Sequence, residues 1–215
     1  MLLEVLEGGH VFERRRKEAM VKALAVYVYH FGLSLRRTSQ VVSVIERASH
    51  ESVRKWYRRL GRHLPQSERR RRGIVAIDET VIKIEGKRVY LWAAIDVRSR
   101  EVFALSVSTG RTDWEAEAFV RKALRLAAGD PIFLVDRGPW YEKAFRRMGL
   151  RFQHMTHGLR NAIERFFGLV KARTKRFNNA FPHRSSIQSV RGWTDAFVNY
   201  CNLENRIDIR EEALS

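Results

Sequence analysis

The stretch Ile74-Val-Ala-Ile-Asp-Glu-Thr-Val81 decides the fold, because it is an apolar and largely β-branched run with an acidic residue inside it. Such a run is typical of a buried strand. A carboxylate in a buried strand lowers stability unless a partner or a metal ion compensates its charge. Asp78 is therefore a candidate site residue.

The residues that follow this stretch predict an antiparallel meander and then alternating helices and strands. Gly86-Lys87 is a turn signal between the strand Ile74–Ile84 and a second strand, Val89–Asp96, and Arg98-Ser99 precedes a third strand, Val102–Val107. The later predicted elements are a helix from the capping box Thr112-Asp-Trp-Glu115 to about Ala128, a strand at Ile132–Val135, a helix at Pro139–Met148, a strand at Arg151–Met155, a helix from about Leu159 to Arg176, and a last helix near Gly192–Asn202.

The order β-β-β-α-β-α-β-α is the ribonuclease H-like topology, so the predicted fold class is α/β. We expect a mixed five-stranded sheet flanked by helices over residues 74–215. In this topology the first and fourth strands are parallel neighbours at the centre of the sheet. Asp136, which closes the run Ile132-Phe-Leu-Val-Asp136, is therefore expected beside Asp78.

A small all-α domain is predicted before the sheet, over residues 1–65. Apolar spacing indicates helices at residues 13–30, from Ser34 to about Glu46, and at His50–Leu60, with Ser34 and Ser49 as caps. Two short helices around a tight turn, the second of them basic, are typical of a DNA-binding helix-turn-helix. The alternative is a three-helix bundle with a solvated basic face. The residues expected to contact DNA here are Ser49, His50, Arg54, Lys55 and Arg58.

Residues 66–73 are interpreted as a basic linker. Gly61, Pro65, Gln66 and Ser67 are expected to break the preceding helix, and Arg69 to Arg72 form a run of like charges. Such a run is usually solvated, and beside a DNA-binding domain it can follow phosphates. Arg69 and Arg70 are the linker residues expected to bind DNA.

Composition indicates the class of partner. The 215 residues contain 41 Lys and Arg against 24 Asp and Glu, a net charge of +17, and 45% are hydrophobic. That charge favours a polyanion such as nucleic acid, and the hydrophobic content excludes a disordered basic tail. Cys201 is the only cysteine, which excludes an intramolecular disulfide, and no apolar run is long enough to span a membrane. We expect a cytoplasmic protein.

Three acidic residues can hold the divalent metal that phosphodiester chemistry uses. Two Mg²⁺ ions about 3.5–4 Å apart stabilise the attacking and leaving oxygens, and carboxylates are suitable ligands for them. Asp78 is expected to bridge the ions, with Asp136 completing the shell of one and Glu164 that of the other. Glu164 shares one predicted helix face with Asn161, Gly168, Lys171 and Lys175, of which Asn161 and the lysines are expected to bind DNA. The alternative for Glu164 is an exposed first-turn residue favoured by the helix dipole.

Four blocks carry a resemblance to a known family. The resemblance extends over nearly the whole chain, and the blocks are Ala76-Ile-Asp-Glu-Thr80, Tyr90-Leu-Trp-Ala-Ala-Ile-Asp96, Val135-Asp-Arg-Gly-Pro-Trp-Tyr141 and Asn161-Ala-Ile-Glu-Arg-Phe-Phe167. They resemble DDE transposases of small insertion sequences, the type with an N-terminal helix-turn-helix and an integrase-like core. The resemblance implies Asp78, Asp136 and Glu164 as the catalytic, metal-binding acids and Mg²⁺ or Mn²⁺ as the cofactor.

The same resemblance implies a reaction and partners. The expected chemistry is cleavage at the ends of an insertion sequence, followed by attack of the 3′-OH on target DNA. The expected partners are the terminal inverted repeats, target DNA, and further copies of the chain in a dimer or larger synaptic assembly. Two alternatives stay open, a catalytically inactive DNA-binding protein and a structure-specific nuclease of the same fold.

Other polar and aromatic residues near these blocks are expected to play structural roles. Alternation along a strand sends Glu79 to the sheet face opposite Asp78, and Asp96 is interpreted as turn-forming. Trp140 and Tyr141 can stack on a flipped base, although core packing is favoured for both. Only 27 residues separate Asp136 from Glu164, fewer than in many relatives of the family, so the segment Arg151–Leu159 is expected to be shortened, with consequences for the fifth strand or for the position of the helix that carries Glu164.

Overall fold

The computed structural model describes residues 17–154, 158, 161–175, 181 and 185–212. Contacts divide the chain into two compact units. The first contains the residues up to Gln66 together with Gly192–Leu203, and the second contains Ser67–Arg191 and the residues from Glu204 onward. Residues 13–16, Met155, Leu159 and Arg176, at the ends of predicted elements, lie outside the described residues.

The described helices and strands follow the predicted order. The helices are α1 (Ala19–His30), α2 (Leu35–Val42), α3 (His50–His63), α4 (Asp113–Leu126), α5 (Pro139–Arg147), α6 (Asn161–Lys175) and α7 (Ile187–Glu212). The strands are β1 (Arg70–Arg71), β2 (Ile74–Ile84), β3 (Lys87–Asp96), β4 (Val102–Ser108), β5 (Ala127–Ala128), β6 (Ile132–Val135) and β7 (Phe152–His154).

A five-stranded mixed sheet of order β4-β3-β2-β6-β7 forms the second unit's framework. Strands β2, β3 and β4 are an antiparallel meander, whereas β6 pairs in parallel with both β2 and β7. This order and the flanking helices are ribonuclease H-like, which confirms the predicted fold class. The parallel pairing of the first and fourth long strands, Ile74↔Ile132 to Ala76↔Leu134, is also confirmed.

One face of the sheet is buried by helices α4 and α5. Val75 and Ile77 of β2 and Phe133 and Val135 of β6 point into this core, where the side chain of Tyr141 is fully buried. Because side chains alternate along a strand, Ala76 and Asp78 point to the other face. Helix α6 lies against β2 and β3.

The first unit contains the two short helices of the predicted helix-turn-helix. Ser34 accepts a hydrogen bond from the N–H of Arg37 at 3.2 Å, and Ser49 accepts one from Ser52 at 3.1 Å, so both predicted caps are confirmed. The prediction that Gly61 breaks the helix is wrong, because Gly61 lies inside α3. A Cβ there would meet the Cβ of Ala196 at 2.6 Å, so glycine permits the close approach of residues 192–203.

The segment before β2 is ordered by ion pairs rather than solvated throughout. Arg70 and Arg71 form β1, which pairs in parallel with β5. The side chain of Arg72 is fully buried, where its Nη1 donates to Asp96 at 3.1 Å and to Glu101 at 2.9 Å. Its guanidinium also lies 3.9 Å from the ring centroid of Phe103. The expectation of a solvated run is therefore wrong for Arg72, since two buried carboxylates require its charge.

The described helices offer no candidate for a membrane span, because none combines sufficient length with a sufficiently apolar composition.

Candidate active site

The structure places Asp78 on β2 and Asp136 directly after the end of the neighbouring strand β6. Asp78 lies two residues beyond Ala76, and Asp136 lies two residues beyond Leu134, the register partner of Ala76. Continuing that register places the two aspartates opposite each other, and adjacent strands are about 4.8 Å apart. Both are partly buried. The expectation that the sheet brings these residues together is therefore met at the level of the backbone.

Main-chain N–H groups orient both carboxylates. Oδ1 of Asp78 accepts a hydrogen bond from the N–H of Glu79 at 2.9 Å, and Oδ1 of Asp136 accepts one from Gly138 at 2.8 Å. A Cβ on Gly138 would lie 2.6 Å from the indole of Trp140 and 2.9 Å from Oδ1 of Asp136, so glycine is required for this loop. A hydrogen-bonded, oriented carboxylate pair suits a hard divalent cation.

Glu164 lies in the first turn of α6, and its side chain is exposed. The predicted helix face is confirmed, because Asn161, Gly168, Lys171 and Lys175 are also exposed. The apolar residues Ile163, Phe166, Phe167 and Val170 are buried, which holds the helix against β2 and β3. Helix α5, strand β7 and the start of α6 therefore form within the 27-residue interval that separates Asp136 from Glu164.

Glu164 does not form a compact three-carboxylate group with the two aspartates among the described residues. Among the residues described, no group of three ligand atoms within 4.8 Å of one another unites Asp78, Asp136 and Glu164. Like charges repel, and a shared cation offsets that repulsion. The helix position, rather than a formed cluster, is what makes Glu164 a candidate third ligand.

Glu79 is a site residue that sequence reasoning missed. Its side chain is only 3% exposed, and it accepts a hydrogen bond from the hydroxyl of the buried Tyr141. Burial raises the pKa of Glu79, and the negative charges of Asp78 and Asp136 raise it further, whereas the Tyr141 hydroxyl and Arg111 lower it. Alternation does send Glu79 to the face opposite Asp78, as predicted, and that face is the one packed against the core that contains Tyr141. The feature that indicates a special role for Glu79 is its position opposite the buried Trp92 on the neighbouring strand, which is unusual for an acidic residue.

Arg111 and Trp140 complete the surroundings of Glu79. Nη1 of Arg111 lies 3.3 Å from Oε1 of Glu79, and its guanidinium lies 4.1 Å from the ring centroid of Trp140 and 5.3 Å from that of Tyr90. Tyr141 is fully buried, as the predicted core packing requires. Trp140 is only half-buried, so it is not a core residue in the same sense. Asp96 accepts hydrogen bonds from the N–H groups of Arg98 and Ser99, which confirms its turn-forming role.

The residues predicted to contact DNA in the first unit lie at the start of α3 and along it. Ser49 is the N-cap, and His50 and Lys55 are exposed. Arg54 pairs with Glu51 at 2.7 Å, and burial lowers the pKa of Arg58. In the second unit Arg69 is exposed, whereas Arg70 pairs with Glu101 at 2.5 Å.

The chain matches one family model and is similar to one relative over most of the length of both proteins. Residues 73–198 match the family model DDE_Tnp_IS240, described as a DDE domain. An uncharacterized protein of Methanocaldococcus jannaschii is 41% identical over 202 residues, which cover 94% of each chain. An uncharacterized protein of Aquifex aeolicus is 42% identical over 59 residues, which are 27% of this chain and 49% of that protein.

Solved structures of viral integrases are also similar to this chain. The catalytic core domain of HTLV-2 integrase in complex with magnesium, in its trimeric form, has a TM-score of 0.43 at 22% identity and covers 59% of this chain and 83% of its own. The catalytic core domain of BIV integrase has a TM-score of 0.43 at 14% identity and covers 58% of this chain and 80% of its own.

Proposed function

Because the chain belongs to the DDE-type transposases with an integrase-like core, we propose that it cleaves DNA at the ends of an insertion sequence and joins the freed 3′-OH to target DNA. The observation that carries the proposal is the parallel pairing of β2 and β6, which brings Asp78 and Asp136 onto adjacent strands. A main-chain N–H orients each carboxylate. Transfer of the 3′-OH needs no covalent protein intermediate, so no Ser, Cys or Tyr nucleophile is required.

Asp78, Asp136 and Glu164 are the proposed ligands of two Mg²⁺ or Mn²⁺ ions. Carboxylate oxygens are the donors that these hard cations prefer, and the parallel pairing of β2 with β6 supports one cation shared by the two aspartates. Bound there, the metal would stabilise charge on the attacking and leaving oxygens of the phosphodiester. Glu164 would approach from the start of α6, whose lysines continue along the same exposed face.

The basic residues supply the proposed DNA contacts. Asn161, Lys171 and Lys175 lie on the exposed face of α6 that also carries Glu164, so this face can follow the phosphates of a strand held at the site. Helix α3 is the proposed recognition helix, with its capped N-terminus and His50 toward the bases. Both ends of an element must be held at once, so a dimer or larger assembly with the terminal inverted repeats is the proposed active form.

The test is an assay with the purified full-length chain and a labelled duplex of the inverted repeat that flanks its gene. With Mg²⁺ or Mn²⁺ present, we expect cleavage at the repeat end and joining of the labelled strand to plasmid DNA. Without a divalent metal, binding is expected to continue while cleavage and joining stop. Binding without cleavage under all conditions would instead indicate an inactive DNA-binding protein. Cleavage without joining would indicate a structure-specific nuclease.

A further inference from the structure

Four side chains form a layered cluster beside the two aspartates, which we call the Arg111 cluster. It contains the buried carboxylate of Glu79, the buried hydroxyl of Tyr141, the guanidinium of Arg111 and the indole of Trp140. The guanidinium lies between Glu79 and Trp140, and 39% of the Arg111 side chain remains exposed. The cluster therefore carries a fixed positive group that solvent can reach.

The cluster is joined to both aspartates through the chain. Glu79 follows Asp78 directly, and its N–H donates to the Asp78 carboxylate. Trp140 lies four residues after Asp136 and packs over Gly138, whose N–H donates to the Asp136 carboxylate. The charges of Asp78 and Asp136 both act on Glu79 and on Tyr141.

Glu79 points to the sheet face opposite Asp78, so the approach from the aspartates to the cluster runs past Trp140. A Cβ on Gly138 would lie 2.6 Å from the Trp140 indole and 2.9 Å from Oδ1 of Asp136, and Arg111 stacks on that indole at 4.1 Å. A phosphodiester held at Asp136 would therefore lie close to the Trp140 end of the cluster.

An ordinary core ion pair does not account for the position of Arg111. Glu79 already accepts a hydrogen bond from Tyr141, so its burial is partly compensated without a cation. The contact from Arg111 is 3.3 Å long, and 39% of the arginine side chain remains exposed, so part of the guanidinium is turned to solvent rather than to the core. Stacking on Trp140 and pairing with Glu79 do, however, restrict the rotamers of the side chain. A guanidinium that is oriented beforehand loses less entropy when it binds a ligand.

We propose that Arg111 binds a phosphate of the DNA strand that is cut at Asp78 and Asp136, and that Glu79 and Trp140 position its guanidinium for this contact. This proposal rests on the proposed function, because only that function identifies the bound strand as the DNA strand that is cut. A guanidinium has five N–H donors in a planar fork that matches phosphate oxygens, so pairing through one nitrogen still permits a charge-assisted contact. Glu79 is a positioning residue here, since it acts on the phosphate through Arg111.

The first measurement is the salt dependence of DNA binding by the full-length chain. The probe is a fluorescein-labelled duplex of random sequence, with Ca²⁺ in place of Mg²⁺. Loss of one phosphate contact reduces the magnitude of the negative slope of log K against log salt by about 0.9. We expect that change for Arg111→Ala, and a slope close to that of the unmodified protein for Arg111→Lys, which keeps the charge.

The matched control is Arg146→Ala, because Arg146 is also a partly paired surface arginine. It lies on α5, is 72% exposed and pairs with Glu142 at 2.8 Å, and its removal changes the net charge equally. We expect its slope to equal that of the unmodified protein. An equal decrease in both variants would overturn the proposal, because charge rather than a specific contact would then explain it. An unchanged slope in Arg111→Ala would overturn it as well.

The second measurement is the rate of cleavage of the repeat duplex with Mn²⁺ at saturating protein. Arg111→Ala is expected to lower this rate roughly tenfold to a hundredfold, the usual worth of a charge-assisted hydrogen bond. Arg111→Lys is expected to restore part of the rate, because a lysine keeps the charge but not the fork. A rate unchanged in Arg111→Ala contradicts the proposal. Absence of cleavage by the unmodified protein would count against the proposed function. In that case the salt dependence of DNA binding would still show whether Arg111 contacts a phosphate.

Discussion

Asp78→Asn is expected to abolish cleavage and strand transfer while leaving the fold and DNA binding intact. Asparagine keeps the side-chain oxygen that accepts the hydrogen bond from the N–H of Glu79, so that contact is retained. It does lose the negative charge that a bridging metal ligand supplies. Several kcal/mol of transition-state stabilisation would disappear, and the rate should fall about a thousandfold or more. Asp136→Asn should behave alike, since Gly138 can still donate to the asparagine oxygen.

The control for this loss is Asp130→Asn, which removes the same charge at an exposed position. Asp130 is 75% exposed and pairs with Arg151 at 2.7 Å, at the end of the sheet where β6 begins. Its rate should stay within a factor of about two, as exposed pairs contribute little. The measurement is single-turnover cleavage of the repeat duplex with Mn²⁺. Activity of Asp78→Asn within tenfold of the unmodified protein would contradict the assignment of Asp78.

Arg72→Ala is expected to have the largest effect on stability, about 3–5 kcal/mol of unfolding free energy. Arg72 is fully buried and lies between the carboxylates of Asp96 and Glu101, which are themselves buried. Removing the guanidinium would leave those two negative charges close together with far less compensation. The lost packing against Phe103 adds to the effect. Urea unfolding monitored by tryptophan fluorescence would measure it.

Arg70→Ala is the matched control, because Arg70 contacts the same carboxylates from a half-exposed position. It pairs with Glu101 at 2.5 Å and lies 3.9 Å from Asp96. Solvent screens that interaction, so a loss of about 1 kcal/mol or less is expected. Equal losses for the two variants would show that burial of Arg72 is not what makes its charge necessary. If Arg72→Ala accumulates only as insoluble protein, Arg72→Lys should recover part of the stability, since it restores a cation.

The sequence was sufficient for the parts of the fold that depend on local pattern and on topology. The β-branched run around Asp78, the capping box at Thr112 and the caps Ser34 and Ser49 are local signals, and the structure confirms each of them. The neighbourhood of Asp78 and Asp136 followed from strand order, because a ribonuclease H-like order makes their strands adjacent.

The remaining features depend on tertiary partners that no local pattern encodes. Gly61 looks like a helix breaker until Ala196 is known to pack against it. Arg72 looks solvated until Asp96 and Glu101 are brought to it by the β3–β4 connection. Glu79 was assigned correctly to one face, but its hydroxyl partner Tyr141 is 62 residues away in the chain. Long-range pairing of buried charge cannot be read from periodicity, which reports only which face a residue occupies.

Asp78, Asp136 and Glu164 are proposed to form one two-metal site in which Asp78 is shared by both ions, and Fe²⁺-directed cleavage of the protein tests this most directly. Fe²⁺ bound at a Mg²⁺ site produces hydroxyl radicals on addition of ascorbate and peroxide, and these cut the backbone near the ligands. With repeat DNA bound, we predict cuts in three separate segments, around residues 78, 136 and 164, all suppressed by excess Mg²⁺. Asp78→Asn should weaken the cuts in all three segments together. Cuts confined to the segments of Asp78 and Asp136, with residue 164 uncut, would contradict the shared site.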